Sequence, residues 1–152
     1  SDFGRIIKIR VTDEDLPLMG KLAQGPQVMR LFPGESIAGA VSAKYDSEDS
    51  FALFTKNGKI ININRSLLRT CKKGDIGEVI HSIKDLIISS DNIIDICSIN
   101  NINTLITNKN RSKRLKKEEI KNLDKNSNII SDYLKEGEWI EKIINLTEKR
   151  DD

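Results

Sequence analysis

The chain is poor in the residues that build most catalytic and metal-binding sites. Its 152 residues include two cysteines, two methionines, one histidine and one tryptophan. Cys71 and Cys97 are too few for a disulfide scaffold, and neither has a second cysteine or a histidine at metal-ligand spacing. His81 stands alone, which excludes a histidine-based metal site and leaves it a loop or strand-end residue. Aromatic residues make up 5% of the chain, too few rings for an RNA-recognition surface built on base stacking. No apolar stretch approaches the ~18 residues of a membrane span and no secretory pattern opens the chain, so a reduced, cytoplasmic compartment is expected. A dominant charge is missing too: 25 basic side chains face 23 acidic ones, for a net charge of +2. Contact with a polyanion must then come from clustering of charge, not from its total. The glycines of MGKLAQGP and KKGDIGEV stand in no strand–glycine–helix context, which excludes a Walker loop and a dinucleotide fingerprint.

What the chain does have is 24 isoleucines and 13 asparagines, enough β-branched bulk for a core and many turn formers, in a length that fits one domain. The sharpest local pattern is FALFTKNGKIININ, residues 51–64. Asn57-Gly58 between two alternating runs predicts a β-hairpin, because both turn residues accept positive φ. The pattern recurs. Phe3-Gly4 leads into RIIKIRV as if into the second strand of such a hairpin, its first strand missing, as though the chain were cut from something longer. Farther on, NTLIT precedes Asn108-Lys109-Asn110-Arg111, with Thr107 standing 52 residues after Thr55 and Asn110 in the glycine's place. A second element, a small residue and an acid running into a short apolar strand, recurs as GESIAGAV (34–41), SDNIIDICSI (90–99) and GEWIEKIINL (137–146). Between the two elements lie glycine-punctuated basic loops, MGKLAQGPQVMRL (19–31) and TCKKGDIGEVI (70–80), replaced in the third copy by glycine-free NLDKNSNIISDYL. Three units of roughly fifty residues (about 1–45, 46–100 and 101–146), with a flexible tail over 147–152, predict an all-β, propeller-like architecture. Residues 112–123 contain helix formers, but the repeat register favours strand and loop there.

Hairpin, basic glycine loop and acid-led strand in that order resemble the repeat of the C-terminal domain of DNA gyrase A, shared with its topoisomerase IV counterpart. The likeness is best over residues 1–100. It implies a partial β-pinwheel of about three blades, and a role in binding duplex DNA at a basic rim and bending or wrapping it. It also implies a parent enzyme, an ATP-dependent DNA topoisomerase of bacterial, nucleoid-associated type. Its ATP and Mg would sit on other domains and other polypeptides of that enzyme. Its partners would be double-stranded DNA, the rest of gyrase A and its companion gyrase B, with no membrane. Nothing here matches the QRRGGRG-like box that marks gyrase itself.

Phosphate neutralisation asks for flexible cations and close-approaching backbone on an outer edge. The candidates are Arg5, Lys8 and Arg10 with Lys21 and Arg30 in the first unit, and Lys56, Lys59, Arg65 and Arg69 with Lys72 and Lys73 in the second. In the third they are Lys109, Arg111, Lys113 and Arg114, within a stretch (103–125) holding eight bases against three acids. Against this, cations on half-exposed strands also serve solubility and block edge pairing. A β-propeller-like protein-interaction domain without nucleic-acid binding is the alternative. No catalytic residues are expected in this stretch: Tyr45 lies in an acidic linker, Tyr133 in the degenerate third unit, and the family's nucleophilic tyrosine belongs to a separate breakage–reunion domain. Cys97 and Trp139 are read as core residues. Cys71 is read as a loop thiol whose pKa neighbouring Lys72 and Lys73 would lower.

Overall fold

Alternating side chains and three closely similar turns shape the chain. A computed structural model describes residues 1–80, 90–123, 130 and 132–146. Its strands are β1 (Arg5–Ile6), β2 (Lys8–Ile9), β3 (Phe51–Thr55), β4 (Ile60–Ile63), β5 (Thr70–Cys71), β6 (Glu78–Val79), β7 (Ile93–Ser98), β8 (Ile102–Thr107), β9 (Ser112–Leu115) and β10 (Ile140–Leu146); the described residues also form a 3-10 turn (Arg65–Leu67) and a short helix, α1 (Lys117–Lys121). Two three-stranded antiparallel sheets, ordered β4-β3-β7 and β10-β8-β9, are the second and third units. In the first, Phe51 faces Ile63 and Phe54 faces Ile60 across the expected hairpin. In the second, Thr104 faces Arg114 and Leu105 faces Ile143.

The turns close alike, which explains the sequence register. In the second unit Gly58 N–H donates to the Thr55 carbonyl (3.1 Å) and Lys59 N–H to the Thr55 hydroxyl (2.9 Å). In the third, Asn110 N–H donates to the Thr107 carbonyl (2.9 Å) and Arg111 N–H to the Thr107 hydroxyl (3.2 Å). In the first, Gly4 N–H donates to the Ser1 carbonyl (3.1 Å) and Arg5 N–H to the Ser1 hydroxyl (3.1 Å). Gly4, Gly58 and Asn110 all have positive φ (84°, 89° and 58°), the conformation that glycine takes freely and asparagine tolerates.

The central sheet is buried on both faces, and its period of two divides the core. Ala52, Phe54 and Ile60 join Cys97, Ile99, Leu105, Leu115, Ile120, Ile130 and Ile140 on the side of the third unit. Phe51, Leu53, Ile61, Ile63 and Ile93 form a second cluster toward the first unit, against which Ile6 and Ala38 pack. Units also pair across their boundaries, β1 antiparallel with β6 and β2 parallel with β5. Hairpin turns make further joints: Ile93 N–H reaches the Asp2 carbonyl (3.0 Å), and Ile140 N–H reaches the Lys56 carbonyl (2.8 Å).

Four local expectations need correction. GESIAGAV forms no strand, whereas its counterparts β7 and β10 pair with the first strands of hairpins, β3 and β8. Residues 112–123 hold both states, strand to Leu115 and then α1, where the Glu119 carboxylate accepts from Lys116 N–H (2.7 Å) and Ile120 is fully buried. Cys71 is no loop thiol but a buried residue of β5. Trp139 is 39% exposed just before β10, with the Lys56 ammonium 5.0 Å from its ring centre. Cys97 is a core residue, as expected. No helix among the described residues is long and apolar enough to cross a membrane. His81, residues 124–129 and residues 147–152, where a flexible tail was expected, lie outside the described residues.

Candidate nucleic-acid interface

Thirteen of the fifteen candidate cations fall into three groups by what already holds them, and Arg69 and Arg114 stand outside these groups. Arg5 and Arg111 are anchors. Each follows the positive-φ residue of its turn, and each meets a glutamate that follows a second positive-φ residue, Gly34 (80°) before Glu35 and Gly137 (69°) before Glu138. Arg5 is 6% exposed. Its Nε donates to Glu35 Oε1 (2.8 Å), and its two terminal nitrogens reach Glu35 Oε2, the Arg30 carbonyl (2.7 Å) and the Ile76 carbonyl. Phe32 lies beneath the guanidinium at 4.0 Å and gives its own N–H to Glu35 (2.8 Å). The third unit repeats the device: Arg111 donates to Glu138 (2.6 Å) and to the Tyr133 carbonyl (3.2 Å), and lies over the Tyr133 ring at 4.5 Å. The Arg5 hydrogen bond, working against burial, holds the Glu35 carboxyl down at about 2. Glu138 is lowered in the same direction, first by the Thr107 hydroxyl (2.6 Å) and the Lys135 N–H (2.9 Å), with Arg111 adding to them. In the second unit Ser90 (φ 58°) precedes Asp91, which accepts from Asn57 N–H at 3.0 Å.

A second group sits at joints between segments. Lys8 donates to the Arg65 carbonyl (3.1 Å), and Arg65 to the Lys44 carbonyl (3.0 Å) and to Ser47. Lys109 donates to the Glu136 carbonyl (3.0 Å). Lys56 and Lys59 are half-buried at the turn that meets the third unit, Lys56 beneath Trp139. Arg10 and Lys113 each lie 5.5 Å from a tyrosine ring, Tyr45 and Tyr133. Hairpin tips therefore join units as much as they face solvent.

The third group is Lys21, Arg30, Lys72 and Lys73, all exposed on the two glycine loops. Forty residues apart in sequence, these loops are clamped side by side. Gly74 N–H donates to the Val28 carbonyl (2.7 Å), Arg30 N–H to the Asp75 carbonyl (3.0 Å), and Lys73 Nζ to the Glu14 carbonyl (2.7 Å), beside a Met29–Asp75 bridge. Arg5 pins both loops at once through the Arg30 and Ile76 carbonyls. Among the described residues, no carboxylate pairs with any of these four side chains. Arg69 flanks them in an exposed pair with Asp75 (3.2 Å), and exposed Arg114 stands apart on β9. Sequence reasoning missed Glu35, Asp75 and Glu138 as the groups that decide which cations remain available. For the two glutamates a signal was there, an acid recurring at a fixed place after a small residue.

The family model described as DNA gyrase C-terminal domain, beta-propeller, matches residues 1–44, 49–85 and 105–149. No curated protein and no solved structure matches the chain. With three stretches matched in order, over sheets that exchange strands between neighbouring units, the chain belongs to the DNA gyrase C-terminal domain family, as part of a β-pinwheel.

Proposed function

We propose that this chain is a non-catalytic module that binds duplex DNA through its phosphates and bends or wraps it, within a type IIA DNA topoisomerase of the gyrase kind. The observation that carries this is the joining of two glycine loops into one edge bearing Lys21, Arg30, Lys72 and Lys73 without carboxylate partners among the described residues. Flexible cations on a convex edge neutralise phosphates without reading bases. Arg10, Arg69, Lys109, Lys113 and Arg114 extend the charge around the molecule. Arg5 and Arg111 serve by holding loops and turns in place, not by touching DNA. The partners are double-stranded DNA, the remainder of gyrase A, and gyrase B.

Binding to a duplex of about 30 base pairs, titrated from about 50 to 200 mM salt, tests this. Affinity falls steeply, with a log–log slope of about −0.9 for each phosphate neutralised. Alanine at Lys21, Arg30, Lys72 and Lys73 together flattens that slope by up to about four, while the melting temperature drops only slightly, through loss of the exposed Lys73 hydrogen bond to the Glu14 carbonyl. Flat affinity across that range sinks the phosphate edge. Unchanged binding by the folded quadruple variant moves the contact elsewhere, and absence of any duplex binding returns the chain to the protein-interaction reading.

A further inference from the structure

The first glycine loop carries an apolar tip that the fold leaves in water. Leu18 is 96% exposed, Leu22 99% and Met19 49%, the two leucines being the most exposed of the large apolar residues among those described. Both feet of the loop are fixed on the second unit, one by Lys73 on the Glu14 carbonyl and the other by Gly74 and Asp75 on Val28 and Arg30. Between the feet the chain stands clear of the body, and a Cβ added at Gly20 or Gly25 would meet nothing within 4 Å. Ala23 N–H donates to the Gly20 carbonyl (2.9 Å), closing a turn with Lys21 and Leu22 at its apex. The acids Asp13, Glu14 and Asp15 stay at the foot, in a turn closed by Leu16 N–H on the Thr12 carbonyl (2.8 Å) and by Asp15 N–H on the Thr12 hydroxyl (3.3 Å).

We propose that Leu18 and Leu22 form an apolar wedge that enters between base pairs of the duplex held along this edge. This rests on the DNA-binding reading above. A base step is an apolar slot flanked by phosphates, and the loop offers its complement: leucines at a fixed tip with Lys21 between them, and Arg30, Lys72 and Lys73 on the adjoining loops. Wedges of this kind partly unstack a step and kink the duplex, and pyrimidine–purine steps such as TA yield most readily. A polyanion with apolar slots uses both the leucines and the neighbouring cations, which have no carboxylate partner among the described residues, whereas a wholly apolar protein patch would use the leucines alone.

The test uses the whole chain and two duplexes with end labels for energy transfer. One has a central TA step beside 2-aminopurine, and the other a central A-tract carrying the same probe. Expected with the unaltered chain are a rise in 2-aminopurine emission, a shorter end-to-end distance and tighter binding to the TA duplex. L18A/L22A keeps its melting temperature, because both side chains are exposed, and keeps its salt slope, while affinity falls less than about tenfold. It loses the emission rise, the bend and the TA preference. Lys21→Ala lowers the salt slope by about one and keeps the emission rise. The wedge is overturned if the unaltered chain binds without an emission rise, or if L18A/L22A bends and unstacks DNA like the parent. The second result would assign the leucines to a protein contact. Failure of the unaltered chain to bind either duplex at low salt is a separate result, which removes the phosphate edge and the wedge together.

Discussion

Replacing Glu35 by glutamine removes a charge from the clasp that joins the first two units and leaves its shape. Glu35 has a fully buried side chain, and its partner Arg5 is 6% exposed. The carboxyl is held at about 2 against an ordinary 4.5. That displacement corresponds to about 2–3 kcal/mol at neutral pH. The unfolded carboxyl takes up its proton near 4.5, and the folded one only near 2. The stabilisation is therefore whole above about pH 5 and drains away as pH falls between those values. Urea unfolding of the parent and Glu35→Gln should differ by roughly 2–3 kcal/mol at pH 7, with the gap closing progressively below pH 4.5 toward pH 2. A gap that stays constant with pH would refute the charged clasp and attribute the loss to packing. A gap near zero at pH 7 would mean that Arg5 is equally well held by the Arg30 and Ile76 carbonyls.

Further outcomes are expected on the same physical grounds. Gly77 has φ +70° and its added Cβ would strike the Ile6 carbonyl, so Gly77→Ala should part β1 from β6 and cost about 2–3 kcal/mol; an unchanged thermal midpoint contradicts that packing. Ser90 adopts φ 58° where the other units have glycine, so Ser90→Gly should raise the urea midpoint by the equivalent of up to about 1 kcal/mol, and a lowered midpoint would show the strain to be absent. Burial, with Asp95 close by, pushes the Cys97 thiol up to about 12. The native chain should therefore resist iodoacetamide at Cys97 at pH 8 and react there only once unfolded, as mass mapping of the alkylated peptide would read; fast native alkylation of Cys97 would place it at the surface.

The amino-acid sequence by itself determined the turns, the strands that flank them and the repeat that sets the fold class. Ser1, Thr55 and Thr107 each close a turn through atoms within four residues, so a short window of sequence holds the whole cause. That the central sheet is covered on both faces, by contrast, came only from the packing of its neighbours. Local pattern misled at GESIAGAV, because such a strand forms only against a distant partner, as β7 does against β3 and β10 against β8, and at Lys117–Lys121, where burial of Ile120 favours a helical turn over the repeat's register. Only the tertiary structure decided which cations stay available. Arg5 meets the Ile76 carbonyl 71 residues away and Arg111 meets Glu138 27 residues away, while Lys73 reaches back 59 residues to Glu14 and draws two loops into one edge. A guanidinium has the same charge in either setting; whether it faces a buried carboxylate or water depends on how the chain returns upon itself, and short-range sequence does not contain that distance.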